Sequence, residues 1–229
     1  MIRKKEQPKQ VDEGKTKILI VDDHPIVRQG LAELINHEQD LTVCGQAEDA
    51  LEALRIIKEL KPNMVIVDIS LKETSGLELI KDIGAQYANL PVLALSMHDE
   101  SLYAERALRA GAKGYIMKAE ATENVVTAIH KVLSGQIYVS DKMAAKMVRK
   151  LVSSEPQVGA SAIEHLSDRE LEVFHLIGQG YGTRQISERL HLSVKTIETY
   201  RAHIKEKLNL VDASELLQYA IQWVRSQDK

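Results

Sequence analysis

Residues 17–133 alternate between short apolar runs and longer amphipathic stretches. Ile18–Val21, Met64–Val67 and Val92–Leu95 are unbroken apolar runs, the pattern of strands buried on both faces. Leu41–Ala47 and Gly114–Met117 read as weaker strands. Between them Val27, Leu31, Leu34 and Ile35 fall at helical spacing, and Pro25 suits a first helical position. Further helices are predicted near 49–60, 76–86, 100–110 and 121–133. Five strands alternating with five helices predict an α/β fold over residues 17–133, a doubly wound five-stranded parallel sheet.

The periodicity weakens from 134 to 165. Ser134 and Gly135 end the preceding helix, and Ser140 is placed to cap a short helix over 141–152. The stretch from Ser153 through Pro156 and Gly159 to Ser161 has a linker's composition. From 166 to 229 every segment reads helical, which predicts a small all-α domain. Ser167 with Glu170 forms a capping box ahead of Leu171, Phe174 and Ile177, and Gly178 and Gly180 are the expected stop. Thr183 is the expected cap of a short helix ending at Leu190. Ser193 opens a longer one with Ile197, Tyr200, Ile204 and Leu208 on a single stripe. Asp212 with Glu215 opens the last, which runs to about Ser226. The polar residues 1–16 are expected to be a disordered extension.

Composition narrows the class. The chain has 229 residues, 44% hydrophobic and 28% charged, which excludes collagen-like and wholly disordered proteins and leaves room for two cores. The single cysteine, Cys44, excludes an intramolecular disulfide or a multi-Cys zinc site, and reads as a small core residue. No apolar run approaches the roughly 18 residues of a membrane span, and the N-terminus lacks a signal-peptide core. A cytoplasmic protein without a membrane partner is expected. The net charge of −3 is unevenly spread: residues 17–135 carry −6, whereas 166–229 balance to zero. The acidic part argues against nucleic acid there, and the neutral part permits it through a local basic face.

Asp22 and Asp23 follow the first strand and Asp68 ends the third. Carboxyl ends of parallel strands line the ligand crevice of an open sheet, so three carboxylates are expected to converge. They repel one another unless a divalent cation such as Mg2+ stands between them. Ser96 ends the fourth strand and Lys118 follows the fifth. A carboxylate nucleophile, a cation, a hydroxyl and an ammonium around one point suit phosphoryl transfer to an aspartate. Singly, each Asp could be a helix cap, Ser96 a strand-end hydroxyl, Tyr115 a packing residue and Lys118 a surface lysine. Their order at the ends of four strands makes them a site. His24, His98 and the other histidines show no metal-ligand spacing.

At these residues the segment 17–133 resembles the receiver domain of two-component response regulators, which has a flavodoxin-like fold. The resemblance implies that Asp68 is the phospho-acceptor. It implies Mg2+ held by Asp23, Asp68 and the Ser70 backbone carbonyl, with Asp22 acting partly through water. It makes Ser96 the switch hydroxyl, Lys118 the phosphate-pairing lysine and Tyr115 the aromatic that changes rotamer. Two positions depart from the family pattern: Ala119 and Lys72 stand where proline is usual.

The segment from Leu166 to Leu210 resembles the LuxR-type helix-turn-helix of the NarL/FixJ class, and the match extends over nearly all of 166–229. A short helix, a tight turn at His191-Leu192-Ser193 and a long helix are the geometry that sets a second helix in the major groove. Lys195, Thr196, Arg201 and Lys205 are expected at phosphates, and Glu198, Thr199 and Ala202 at base edges. Glu198 stands where many relatives carry lysine, so their operators do not transfer. On the last helix Leu217, Ala220, Ile221 and Val224 form one apolar face, and Leu216, Tyr219 and Trp223 another. Either both are buried in the domain or the second is a dimer contact, as the resemblance implies.

The chain therefore reads as a transcriptional response regulator that is not an enzyme. Its expected partners are a sensor histidine kinase and double-stranded DNA, with a homodimer forming on phosphorylation. Two rivals stand beside this reading: a phosphorylation-independent DNA binder with a degenerate receiver, and a phosphohydrolase. The second is disfavoured because Ser70, not an acid or base, stands two residues after Asp68.

Overall fold

The computed structural model describes residues 14–71, 75–97, 100–152, 162–163 and 165–227. The expected disorder of the N-terminus, the linker composition of 153–161 and the departure at Lys72 fall wholly or mostly outside them. The chain divides into two compact units, Met1–Ala144 and Ala145–Lys229.

In the first unit the strands are β1 (Thr16–Val21), β2 (Leu41–Ala47), β3 (Met64–Asp68), β4 (Val92–Ser96) and β5 (Gly114–Met117). All pair in parallel, in the order β2-β1-β3-β4-β5. The helices are α1 (Pro25–His37), α2 (Ala50–Leu60), α3 (Gly76–Gln86), α4 (Glu100–Ala110) and α5 (Ala121–Leu133). Thr16 already pairs with Leu41, so the ordered domain begins inside the expected N-terminal extension.

Period-two alternation decides which helix covers which side. Ile18, Ile20, Met64, Ile66, Leu93, Leu95 and Ile116 form one core with Leu31, Ile35, Val125, Ala128 and Ile129 of α1 and α5. The alternate residues face α2, α3 and α4, the helices on the other side of the sheet. Burial on both faces is why the three central strands are unbroken apolar runs.

The edge strand departs from expectation at Cys44. Ile18 pairs with Val43 but Leu19 with Gly45, so Cys44 is the extra residue of a bulge. It is half-buried rather than a core residue, and its thiol contacts the Ile18 carbonyl at 3.5 Å. Burial pushes that thiol above its ordinary pKa. At the opposite edge, Tyr138 forms a parallel bridge with Gly114. The stretch after α5, expected as linker from 134, therefore belongs structurally with the sheet. Ser140 caps α6 (Asp141–Val152) as expected, accepting from the Met143 N–H at 3.1 Å.

The second unit contains α7 (Asp168–Gly178), α8 (Thr183–Arg189), α9 (Val194–Lys207) and α10 (Ala213–Gln227). The Ser167–Glu170 capping box is formed. Two boundaries move by a residue or two. Gly182, not Thr183, is the cap of α8, with Gln185 reaching back to its N–H at 2.9 Å. Gly178 is the last helical residue of α7. It is the point where α7 and α10 touch, since a Cβ there would lie 2.4 Å from the Ala220 carbonyl. The stop is Gly180, at a positive φ of 89°.

Candidate functional site

The parallel sheet puts the last residues of β1, β3, β4 and β5 at one edge, and the expected carboxylates meet there. Asp22, Asp23, Asp68 and Ser96 are all buried. Lys118, just beyond β5, reaches in so that its Nζ lies 2.7 Å from Asp22 Oδ2 and 2.7 Å from Asp68 Oδ2. Its backbone N–H is held by the Ser96 carbonyl at 2.7 Å, which fixes where the side chain starts. The Lys118–Ala119 step is not cis, as alanine without a proline ring would dictate. Asp68 Oδ1 accepts from the Ser70 N–H at 3.1 Å. Tyr115 is buried on β5 beside Ala94.

The electrostatics are those of a crowded pocket. Burial pushes the Asp68 carboxyl above the ordinary carboxylate range, opposed by Lys118 and the Ser70 N–H and reinforced by Asp22. For Lys118 burial works against the charged form, but Asp68 and Asp22 outweigh it, and the ammonium's pKa is raised. Three carboxylates against one ammonium leave two negative charges in a buried site. Asp22 Oδ2 meets Lys118 at ion-pair distance without the alignment of a hydrogen bond. An all-oxygen donor set with two surplus negative charges fits a hard divalent cation.

Three residues near the carboxylates were not anticipated. His24 Nδ1 lies 2.8 Å from Asp23 Oδ1 and 3.2 Å from Asp22 Oδ1, a proximity that the spacing of histidines along the sequence does not reveal. Oxygen or nitrogen atoms of Asp22, Asp23, His24 and Asp68 all lie within 4.8 Å of one another. The sequence signal was adjacency to an Asp pair rather than a His-to-His spacing. Arg28 holds the Asp22 carbonyl from one turn into α1. Gly76 admits the start of α3 against β3: a Cβ there would fall 1.9 Å from the Asp68 carbonyl oxygen.

In the second unit Ser193 caps α9, accepting from the Thr196 N–H at 3.0 Å. Ile197 and Ile204 are buried, while Lys195, Glu198, Thr199 and Ala202 form an exposed stripe on the other side. Thr196, Arg201 and Lys205 flank it, half-buried. The Thr199 hydroxyl donates to the Lys195 carbonyl at 3.0 Å, which leaves its methyl and the oxygen's lone pairs for contact. The turn before α9 places His191 at φ 52°, a left-handed conformation uncommon outside glycine that histidine adopts more readily than most residues. The exposed Arg184 and Arg189 of α8 add cationic groups that were not assigned a role.

Of the dimer face expected on α10, Leu216 turns inward while Tyr219 and Trp223 stay half-buried. Leu216 is fully buried, and Phe174 of α7 takes Tyr219 at a ring distance of 5.8 Å and Trp223 at 5.3 Å. The second apolar face is partly covered within the domain, because α7 presents an aromatic that helical spacing on α10 does not reveal. Leu217, assigned to the covered face, is 41% exposed instead.

Residues 18–130 match the response regulator receiver domain family, and 164–220 match the luxR family of bacterial regulatory proteins. The oxygen regulatory protein NreC of Staphylococcus aureus (strain JH9) is 38% identical over 209 residues, covering 90% of this chain and 96% of that protein. Among solved structures, a LuxR-family two-component response regulator from Aurantimonas sp. SI85-9A1 is 34% identical, with a TM-score of 0.56. It covers 61% of this chain and 99% of that one. RcsB of Salmonella enterica serovar Typhimurium, bound to promoter rprA in the presence of phosphomimetic BeF3-, has a TM-score of 0.58 at 24% identity. That likeness covers 90% of this chain and 98% of RcsB, and shows the fold.

Proposed function

This chain belongs to the two-component response regulators of the LuxR family, DNA-binding regulators of transcription, and on that premise we propose that phosphorylation of Asp68 is its switch. The observation that carries this is the position of Lys118, 2.7 Å from both Asp22 and Asp68 in a buried carboxylate cluster. An oxygen of Asp68 forms a bond to phosphorus as the P–N bond of a sensor kinase's phosphohistidine breaks, and the released histidine nitrogen takes up a proton. Lys118 pairs with the incoming charge. Ser96 stands at the end of the neighbouring strand to receive a phosphoryl oxygen, and Tyr115 follows the space this vacates. Asp22, Asp23, Asp68 and the Ser70 carbonyl would hold Mg2+, which when bound supplies charge neutralisation for the transferring group. The chain itself is not an enzyme turning over phosphate esters: Ser70, two residues beyond Asp68, offers a backbone N–H and no acid or base.

The readout is DNA binding through α9, with Lys195, Thr196, Arg201 and Lys205 on phosphates and Glu198, Thr199 and Ala202 on bases. Phosphorylation favours a homodimer on a roughly palindromic operator, in the cytoplasm where the DNA is. Among the described residues no helix is long and apolar enough to cross a membrane.

The test is labelling by a small-molecule phosphodonor with Mg2+, read by intact mass. Wild type should gain one acid-stable, base-labile acyl phosphate, and Asp68→Asn none. Tight DNA binding with no label on wild type would favour the degenerate-receiver reading instead.

A further inference from the structure

Among the described residues, His24 supplies the one imidazole that the fold brings to the carboxylate cluster. We propose that His24 is a metal-ligating residue that biases this site toward transition-series divalent ions, Mn2+ being the probe, relative to Mg2+. The inference rests on the reading that Asp22, Asp23 and Asp68 hold a divalent cation.

The imidazole is aimed, not merely nearby. The His24 backbone N–H donates to Asp22 Oδ1 at 2.8 Å, and His24 caps α1 ahead of Pro25, whose ring fixes the next φ. From that restrained backbone the ring reaches the carboxylates, Nδ1 meeting Asp23 Oδ1 at 2.8 Å and Asp22 Oδ1 at 3.2 Å. A single nitrogen facing two carboxylates is held either by a proton or by a cation shared with them. A neutral imidazole adds a donor without adding negative charge to a site that already carries two in excess.

Ion preference follows from ligand chemistry. Mg2+ favours oxygen donors and retained waters, and gains little from a nitrogen. Mn2+ and the later divalent ions accept imidazole readily, with affinity rising along the series. The His24 side chain is 55% exposed, at the solvent side of the buried carboxylates, so its removal leaves the core and the three acids in place.

The experiment uses full-length wild type, His24→Ala and Asp23→Asn. Bound Mn2+ is read by electron paramagnetic resonance, imidazole nitrogen by electron spin echo modulation, and Mg2+ by competition. Wild type should show 14N modulation from one imidazole. His24→Ala should lose it and bind Mn2+ about tenfold or more weakly, the scale on which metal sites respond to a lost supporting group. Its Mg2+ affinity should stay close to wild type. Bound Mn2+ without nitrogen modulation overturns the proposal, as does modulation that survives in His24→Ala or a parallel loss of both ions. The wild-type spectrum decides even where a variant folds poorly. If Asp23→Asn leaves Mn2+ binding unchanged, the cation is elsewhere, and the reading of the carboxylate cluster fails along with the inference.

Discussion

The Tyr115 N–H donates to the Tyr138 carbonyl at 2.8 Å, so β5 is laced to the segment leaving the receiver domain. The return bond runs from the Tyr138 N–H to the Lys113 carbonyl at 3.0 Å. Two residues on, the Ser140 N–H donates to Glu100 at the start of α4 at 2.7 Å. A displacement of β5 or of the first turn of α4 therefore reaches the beginning of α6 through two hydrogen-bonded steps. An element held this way can be biased by events at Ser96 and Lys118.

Gly114 is what lets this lacing form, since a Cβ there would lie 3.0 Å from Tyr138 Cβ and 2.9 Å from Leu93 Cδ1. Gly114→Ala should push the 136–140 segment off the sheet edge. Amide hydrogen exchange at Tyr115 and Tyr138 should accelerate while Mg2+ binding stays as in wild type. A beryllofluoride-type phosphoryl mimic should then gain less than the about 1–3 kcal/mol of coupling expected between receiver and DNA site. Unchanged exchange at both amides would show that the edge tolerates the methyl.

Gly76→Ala tests the packing that holds Asp68. With a Cβ at 1.9 Å from the Asp68 carbonyl oxygen, α3 must move away from the end of β3. The expected cost is about 1–3 kcal/mol of receiver stability, as for other overpacked sites. Labelling of Asp68 by a phosphodonor should slow in the same variant. Asp68→Asn is different, because it removes one carboxylate from a repelling cluster. Without added metal it should melt no lower than wild type in a thermal scan.

On α9, Arg201 and Glu198 should separate in DNA titrations. Arg201→Ala should weaken binding nearly uniformly across sequences and flatten the salt dependence. Glu198→Ala should change preference at one base pair, by about 1–3 kcal/mol, with little effect on random DNA. Equal losses for both variants on specific and random DNA would refute this division of roles.

Glu170 links the DNA-binding domain to pH. It is 3% exposed, and its Oε2 accepts from Lys207 Nζ and from the Ser167 N–H, each at 2.6 Å. Burial works against the carboxylate, but Lys207 and Ser167 outweigh it and hold the carboxyl below the ordinary range. A depressed folded-state pKa stabilises above the unfolded value of about 4.3, and the contribution is lost as pH falls through the folded pKa. Glu170→Gln should cost about 1.5–3 kcal/mol at neutral pH and flatten the loss of stability below about pH 4.5. The single tryptophan, Trp223, packs at a tilt against Phe174 in the same domain, so its fluorescence in denaturant titrations reports on this domain alone.

Much of this molecule is local and was legible in the chain. Ile18–Val21, Met64–Val67 and Val92–Leu95 announce buried parallel strands because burial on both faces leaves no room for polar alternation. Once those strands are ordered, the residues after them, Asp22, Asp23, Asp68, Ser96 and Lys118, must share the carboxyl edge of the sheet. Caps such as Ser140, Ser167 and Ser193 were legible for the same reason, since a cap and its N–H lie within one turn. What the tertiary structure decided involves partners far apart in sequence. Lys118 spans Asp22 and Asp68, Tyr138 closes the sheet edge at Gly114, and Gly178 seats Ala220. Helical spacing on α10 showed two apolar faces but not that Phe174 takes Tyr219 and Trp223. Periodicity records which side of an element avoids water, whereas the neighbour that covers it is chosen by packing among all the elements together.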